Sequence, residues 1–233
     1  MSEIVTAAEL DLLRESCSLD LIGVADIGGV RDRICGLPEN TVAGLPFAIV
    51  GAMKVSSAVL DTLEDGPNVL YYHHYRQLNF HLDRAALGLA REMERRGYLA
   101  IPIAASQVVD WGSMRGHVSH KELGRLAGLG WLGINNLLVT PDFGARVRLV
   151  SVLTNMPLAP GRPVAGGCGD CRRCLTVCPA GAIHEDPAGF DHMACYQQLK
   201  EFTKSRRIGQ YICGLCVKAC AGQSGGSDRG GGT

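Results

Sequence analysis

The chain has 233 residues, with 23 Lys+Arg balanced by 23 Asp+Glu, so its formal net charge is zero. That balance argues against a protein built to coat nucleic acid or an anionic membrane, because both need clustered positive charge. The length suits one sizeable core plus a small appended module, and no apolar run approaches the roughly 20 residues needed to span a bilayer.

The opening stretch "MSEIVTAAELDLLRESC" has acidic residues and no basic flank before an apolar run. It reads as an amphipathic helix over 7–16 rather than a signal peptide, and a cytoplasmic setting is expected. "LIGVAD" (21–26) and "PFAIVGAMK" (46–54) read as buried strands joined by a loop. From Tyr71 to Gly97 a long helix is expected, with Leu78, Leu82, Ala85, Leu89 and Met93 on one face. "LAIPIAA" (99–105) reads as a strand. "SHKELGRLAGL" (119–129) reads as a helix with Ser119 as N-cap and Glu122 completing a capping box. "NLLVT" and "RVRLVSVLT" flank "PDFGA" with the chemistry of a hairpin turn. A Pro- and Gly-rich stretch comes next, which places the boundary between a 1–158 cofactor-binding domain and a 159–222 module. Residues 223–233 have nothing to bury and read as a disordered tail.

Of ten cysteines, Cys17 and Cys35 stand alone and read as small buried hydrophobes. The other eight lie between 168 and 220. "CGDCRRCLTVCPA" has the C-x2-C-x2-C-x3-C-P spacing of bacterial ferredoxins, in which the fourth cysteine ligates a different cluster. A second cluster is then required, and Cys195 with "CGLCVKAC" supplies its ligands. The expected assignment is Cys168, Cys171, Cys174 and Cys220 to one [4Fe–4S] cluster, and Cys178, Cys195, Cys213 and Cys216 to the other. Two structural zinc sites are the alternative, although zinc modules use separated C-x2-C pairs. Arg172 and Arg173 sit between ligands, where they would raise a cluster potential, dock an acidic electron donor, or simply be solvated.

Asp110 follows two valines at the end of a predicted strand, a setting that can raise a carboxyl pKa and make it an acid; a loop or cap role is the ordinary alternative. His73 and His74 at the start of the long helix read mainly as exposed. His117 and His120 have the spacing of a metal pair, but with no third ligand evident they read as a surface loop and cap. The glycines of "GLGWLG" would let backbone approach a phosphate or macrocycle, or make a tight turn.

With "AGLGWLGINNLLVTPDFGARVRLVSVLTN" (127–155) the sequence resembles the epoxyqueuosine reductases, which are cobalamin-dependent two-cluster enzymes related to reductive dehalogenases. Ala127, Gly128, Leu129, Gly130, Trp131, Gly133, Asn135, Gly144 and Thr154 carry the match. "VVDWG" resembles the family segment whose aspartate donates a proton, which falls on Asp110, and "YYHHYRQL" resembles its tyrosine–histidine helix start. Departures are Ile134 in place of a lysine, "SMRGHVSHK" after Asp110, and "AGQ" after Cys220. The resemblance implies an α+β fold: a mixed sheet flanked by helices, as in a nitroreductase-like cobalamin-binding domain, followed by a ferredoxin-like module. It also implies two [4Fe–4S] clusters and a cobalamin held near Tyr72, His73, His74, Gly128, Gly130, Trp131, Gly133 and Asn135. Reduced ferredoxin or flavodoxin would be the donor and a small molecule the substrate. Because the family's C-terminal helical-repeat region is not in this sequence, no independent tRNA binding is expected. Two other readings are a non-catalytic electron-transfer or corrinoid-reducing partner protein, and an epoxyqueuosine reductase whose tRNA-binding part is supplied by another chain.

Overall fold

In the computed structural model, residues 4–206 and 208–222 are described; the expected tail at 223–233 lies outside them. In chain order the helices are α1 (Ala7–Ser16), α2 (Glu39–Ala43), α3 (Ser57–Asp61), α4 (Val69–Arg95), α5 (His120–Leu126), α6 (Arg173–Thr176), α7 (His192–Ser205) and α8 (Leu215–Ala219). The strands are β1 (Leu21–Asp26), β2 (Phe47–Lys54), β3 (Ala100–Ile103), β4 (Trp131–Leu132), β5 (Leu138–Val139) and β6 (Val147–Thr154). Among the described residues no helix is long and apolar enough to cross a membrane.

The architecture is α+β, and the chain forms two compact units, each discontinuous in sequence. One comprises residues up to 53, 77–129 and 148–165; the other comprises 54–76, 130–147 and 166 onward. This grouping cuts across the 158/159 boundary, because 54–76 and 130–147 join the cysteine-bearing part.

The first unit is built on a four-stranded sheet in the order β1-β2-β6-β3. β1 pairs antiparallel with β2, and β3 with β6. Alternating side chains along a strand point to opposite faces, and both faces are covered here. Val24, Ile49, Val150 and Val152 pack with Leu82, Ala85, Leu89 and Met93 of α4. Ala25, Ala48, Val50 and Leu153 pack with Leu123 of α5 and with Ala127. The five residues expected on the buried face of α4 are all buried. α1 starts with a full capping box between Thr6 and Glu9. At α5 only half of the expected box forms. Ser119 Oγ accepts from Glu122 N at 3.4 Å, while the Glu122 carboxylate is taken by Arg125 at 2.7 and 3.2 Å.

The second unit contains the two-stranded β4–β5 sheet and the eight clustered cysteines. Here the expected hairpin is not found as drawn. β5 pairs with β4, so that Trp131 faces Val139 and Leu132 faces Leu138. The "PDFGA" turn is instead closed by a single Thr140–Gly144 bridge. The reason is backbone proximity: a Cβ on Gly130 would lie 2.1 Å from the Val139 carbonyl oxygen, and only glycine permits that approach. The Arg146 guanidinium ties this hairpin to α3 and α8 by donating to Ser57 Oγ at 3.3 Å and to the Lys218 carbonyl at 2.5 Å. Lys218 Nζ in turn donates to the Leu63 carbonyl at 2.6 Å.

Candidate cluster and cofactor site

Short helices and loops present the thiols. α6 carries Cys174, α7 carries Cys195 and α8 carries Cys216, with the remaining five in the connecting loops. Each thiol's electrostatic environment identifies its neighbours. Burial, followed by Cys220, Cys168 and Cys171, pushes the Cys174 thiol up to about 11. Cys220 is raised by burial and then by Cys168 and Cys171, against the opposing N–H groups of Ala145 and Gly222. Cys213 is pushed up to about 11 by burial, with Cys195 and Cys178 adding to it. Cys195 is raised by burial and by Cys178. Cys216 is raised by burial, then by Cys213, Cys195 and Cys178, and last by Cys174. Cys174 and Cys220 thus lie near Cys168 and Cys171, and Cys195, Cys213 and Cys216 lie near Cys178. The two groups come together at Cys216 and Cys174.

Among the described residues no three Cys, His, Asp or Glu side chains converge on one metal-ion position. A four-iron cluster takes its thiolates on separate irons, so a spread quartet of cysteines is the donor set it requires. Clustered thiols that repel one another when ionised fit such a group, because bound iron turns that repulsion into attraction. Cys171 differs from the rest. It is exposed, and the Arg173 backbone and side chain, with Arg172 nearby, hold its thiol below the usual range.

Of the residues singled out for a corrinoid, the glycines are closed against neighbouring chain. Gly128 lies in the first unit at φ +78°, and a Cβ there would meet the Arg162 carbonyl oxygen at 2.6 Å. The space beside Gly130 is filled by the Val139 carbonyl, and that beside Gly133 by Asn135 Oδ1 and Val139 Cγ2, each at 2.7 Å. The glycines therefore serve close approach of the chain to itself. His74 Nε2 accepts from Ser56 N at 3.0 Å, and burial lowers its pKa. Its neighbour His73 is exposed. Arg76 stacks 5.4 Å from the Tyr72 ring centroid.

Asp110 lies in an exposed turn. Its Oδ1 accepts from Gly112 N at 2.9 Å and Ser113 N at 3.3 Å, and its Oδ2 accepts from Ser113 Oγ. These bonds hold the carboxyl below the usual range, with the Ser113 hydroxyl the largest cause. The raised pKa expected from the preceding valines is not found, because the local turn outweighs the apolar neighbours. His117 and His120 are not a metal pair. His117 Nδ1 lies 2.8 Å from the Cys35 carbonyl, and His120 is bonded on both ring nitrogens to Ser151 and Ala104.

Two further features carry no local signal in the sequence. Ile134, Cys174 and Ile183 form an apolar cluster against which Cys168, Cys178 and Cys216 pack. Trp131 Nε1 and Asn135 Nδ2 are buried and lack any partner among the described residues.

No protein-family model matches the chain. The epoxyqueuosine reductase of Bacillus cereus is 34% identical over 113 residues, covering 45% of this chain and 30% of its own length. The tetrachloroethene reductive dehalogenase of Sulfurospirillum multivorans is 34% identical over 107 residues, covering 40% and 21%. The chain thus spans about a third or less of the curated relatives it matches. Among solved structures, the catabolic reductive dehalogenase NpRdhA superposes with a TM-score of 0.72 at 18% identity, over 91% of this chain and 31% of that one. The epoxyqueuosine reductase of Streptococcus thermophilus superposes with a TM-score of 0.61 at 20% identity, over 91% and 65%. The fold is the one shared by reductive dehalogenases and epoxyqueuosine reductases. In sequence the matched part is similar to epoxyqueuosine reductases, and to a reductive dehalogenase at the same identity.

Proposed function

We propose that this chain is a reductase core carrying two [4Fe–4S] clusters, one on Cys168, Cys171, Cys174 and Cys220, the other on Cys178, Cys195, Cys213 and Cys216. The observation that carries the reading is the C-x2-C-x2-C-x3-C-P spacing followed by four further cysteines, with Cys168, Cys174, Cys178 and Cys216 gathered at the apolar cluster of Ile134 and Ile183. Electrons come from an acidic one-electron carrier, a reduced ferredoxin or flavodoxin, which docks at the exposed Cys171 beside Arg172 and Arg173. They leave through the second cluster to reduce a small substrate. Cobalamin as the acceptor rests on likeness alone: one solved reductive dehalogenase is tied to a mechanism for B12-dependent dehalogenation. Asp110 as proton donor rests on the same ground. In the resting turn it is ionised and has to take up a proton before it can give one.

Protein purified without oxygen is expected to contain about eight irons and eight sulfides per chain. Its visible spectrum should bleach with dithionite, and added cobalamin should be retained through gel filtration. Stoichiometric zinc without cluster absorption would end the cluster reading, and loss of cobalamin from the two-cluster protein would favour an electron-transfer partner over an enzyme. A tRNA substrate is the second reading, because an epoxyqueuosine reductase has been solved with a tRNA-Tyr stem loop. A gel shift at physiological salt separates the two: the small-substrate reading expects no specific retardation.

A further inference from the structure

The segment 131–135 lines the first cysteine quartet, and its role toward a redox centre rests on the proposed [4Fe–4S] assignment. Cys220 packs against the apolar group of Trp131, Val139 and Ala145. A Cβ on Gly133 would lie 3.5 Å from Cys168 Sγ. Ile134 shares an apolar cluster with Cys174 and Cys168. Three of the four ligands of that quartet therefore border five consecutive residues.

The same five residues hold the two unpartnered donors. Trp131 is 8% exposed and Asn135 3% exposed, and neither Trp131 Nε1 nor Asn135 Nδ2 has an acceptor among the described residues. A buried donor left unsatisfied is costly, so two of them within five residues point to an acceptor that binds there. The Asn135 amide is also held in place. Its Oδ1 accepts from Leu137 N at 3.3 Å, which fixes the nitrogen as the free end. Water does not resolve the deficit easily, since Ile134 and Ile183 make the surroundings apolar. Thiolate and sulfide sulfurs of an iron–sulfur cluster accept N–H groups, and such bonds are a principal control on its reduction potential. The reduced cluster carries one more negative charge, so donors favour it.

We infer that Trp131 Nε1 and Asn135 Nδ2 donate hydrogen bonds to sulfur in the cluster held by Cys168, Cys171, Cys174 and Cys220, and raise its reduction potential. The two residues are positioning groups for the redox centre.

The test is a potentiometric titration of the full-chain holoprotein, followed by electron paramagnetic resonance, for the wild type, Asn135→Leu and Trp131→Phe. Each substitution removes an N–H donor; Asn135→Leu keeps the branched shape of the side chain and Trp131→Phe keeps an aromatic ring. The expected result is that one of two midpoint potentials moves negative in each variant, by about tenfold in the reduction equilibrium, which is 59 mV for one electron. The other midpoint and the iron content should stay unchanged. Two intact clusters with both midpoints unmoved would overturn the inference while leaving the cluster assignment standing. A wild type with no cluster signal would overturn the assignment itself. If Asn135→Leu loses iron through misfolding, Trp131→Phe, which keeps the aromatic packing, decides the matter alone.

Discussion

His120 Nδ1 lies 2.8 Å from Ser151 Oγ, and its Nε2 lies 3.0 Å from the Ala104 carbonyl. A carbonyl only accepts, so Nε2 carries a proton, and in the neutral ring Nδ1 accepts from the serine hydroxyl. The imidazole joins α5 to β6 and to the end of β3. Burial, against the opposing effect of the Ala104 carbonyl, holds its pKa down to about 4. As pH falls below about 6.5 the unfolded chain takes up a proton that the folded chain refuses until about 4, so stability is lost across that window. Hydrogen exchange of peptides spanning 100–105 and 147–154, corrected for the intrinsic pH dependence, should show protection falling between those values. His120→Gln should flatten the profile, and an unchanged profile would remove His120 from this role.

Gly130→Ala is expected to destabilise the second unit by more than about 3 kcal/mol, because a backbone oxygen 2.1 Å from the new methyl cannot yield. Gly167→Ala, one residue before Cys168, meets nothing within 4 Å and should stay within about 0.5 kcal/mol of wild type. Thermal unfolding of both under anaerobic conditions checks the contrast; a Gly130→Ala protein as stable as Gly167→Ala would contradict the β4–β5 packing.

Local signals made part of this fold legible. The long apolar stripe of α4 is chemistry repeated at a fixed period, and β1 and β2 are continuous apolar runs of strand length. The spacing of the cysteines is legible for a related reason: a cluster dictates how far apart its ligands stand along the chain. α2 and α3, each five residues long, carry no period, and α3 depends on the Ser56 cap and burial of Leu60. The pairing of Leu138–Val139 with Trp131–Leu132 was hidden because it hinges on one glycine's backbone clearance. The state of Asp110 was hidden because it is set by Ser113, three residues further on, and not by the valines before it. The interleaving of the two units could not be read from a chain in which α4 and β6 each run from one unit into the other.

Cysteine substitutions should dissect the two quartets. Cys174→Ser is expected to lose the cluster shared with Cys168, Cys171 and Cys220, and Cys213→Ser the cluster shared with Cys178, Cys195 and Cys216. Each variant should retain about half the wild-type iron, with complementary low-temperature resonance spectra after reduction. Loss of the same signal in both variants would mean that the quartets are assigned wrongly.

Asp110 should titrate below the ordinary carboxylate value near 3.8. Ser113→Ala removes the largest cause and should move the titration upward, toward the unperturbed value. Carbon-13 resonance of the Asp110 carboxyl across the acid range reads both. A midpoint above that of a free aspartate would restore the view of Asp110 as a resting-state acid.

Gly144 adopts φ +59°, and a side chain there would strike the Cys220 carbonyl oxygen at 2.3 Å. Ala145 N donates to that same carbonyl at 3.2 Å. Cys220 is therefore clasped by a turn that the ribosome delivers well before it, with Cys168, Cys171 and Cys174 synthesised in between. A nascent chain can gather three thiolates of the first quartet early, but the fourth arrives only when the clasp closes. Until then a cluster placed on those three would have one iron open to water or oxygen. If the proposed cluster is held there, chain closure, more than thiol reactivity, sets when it can be completed.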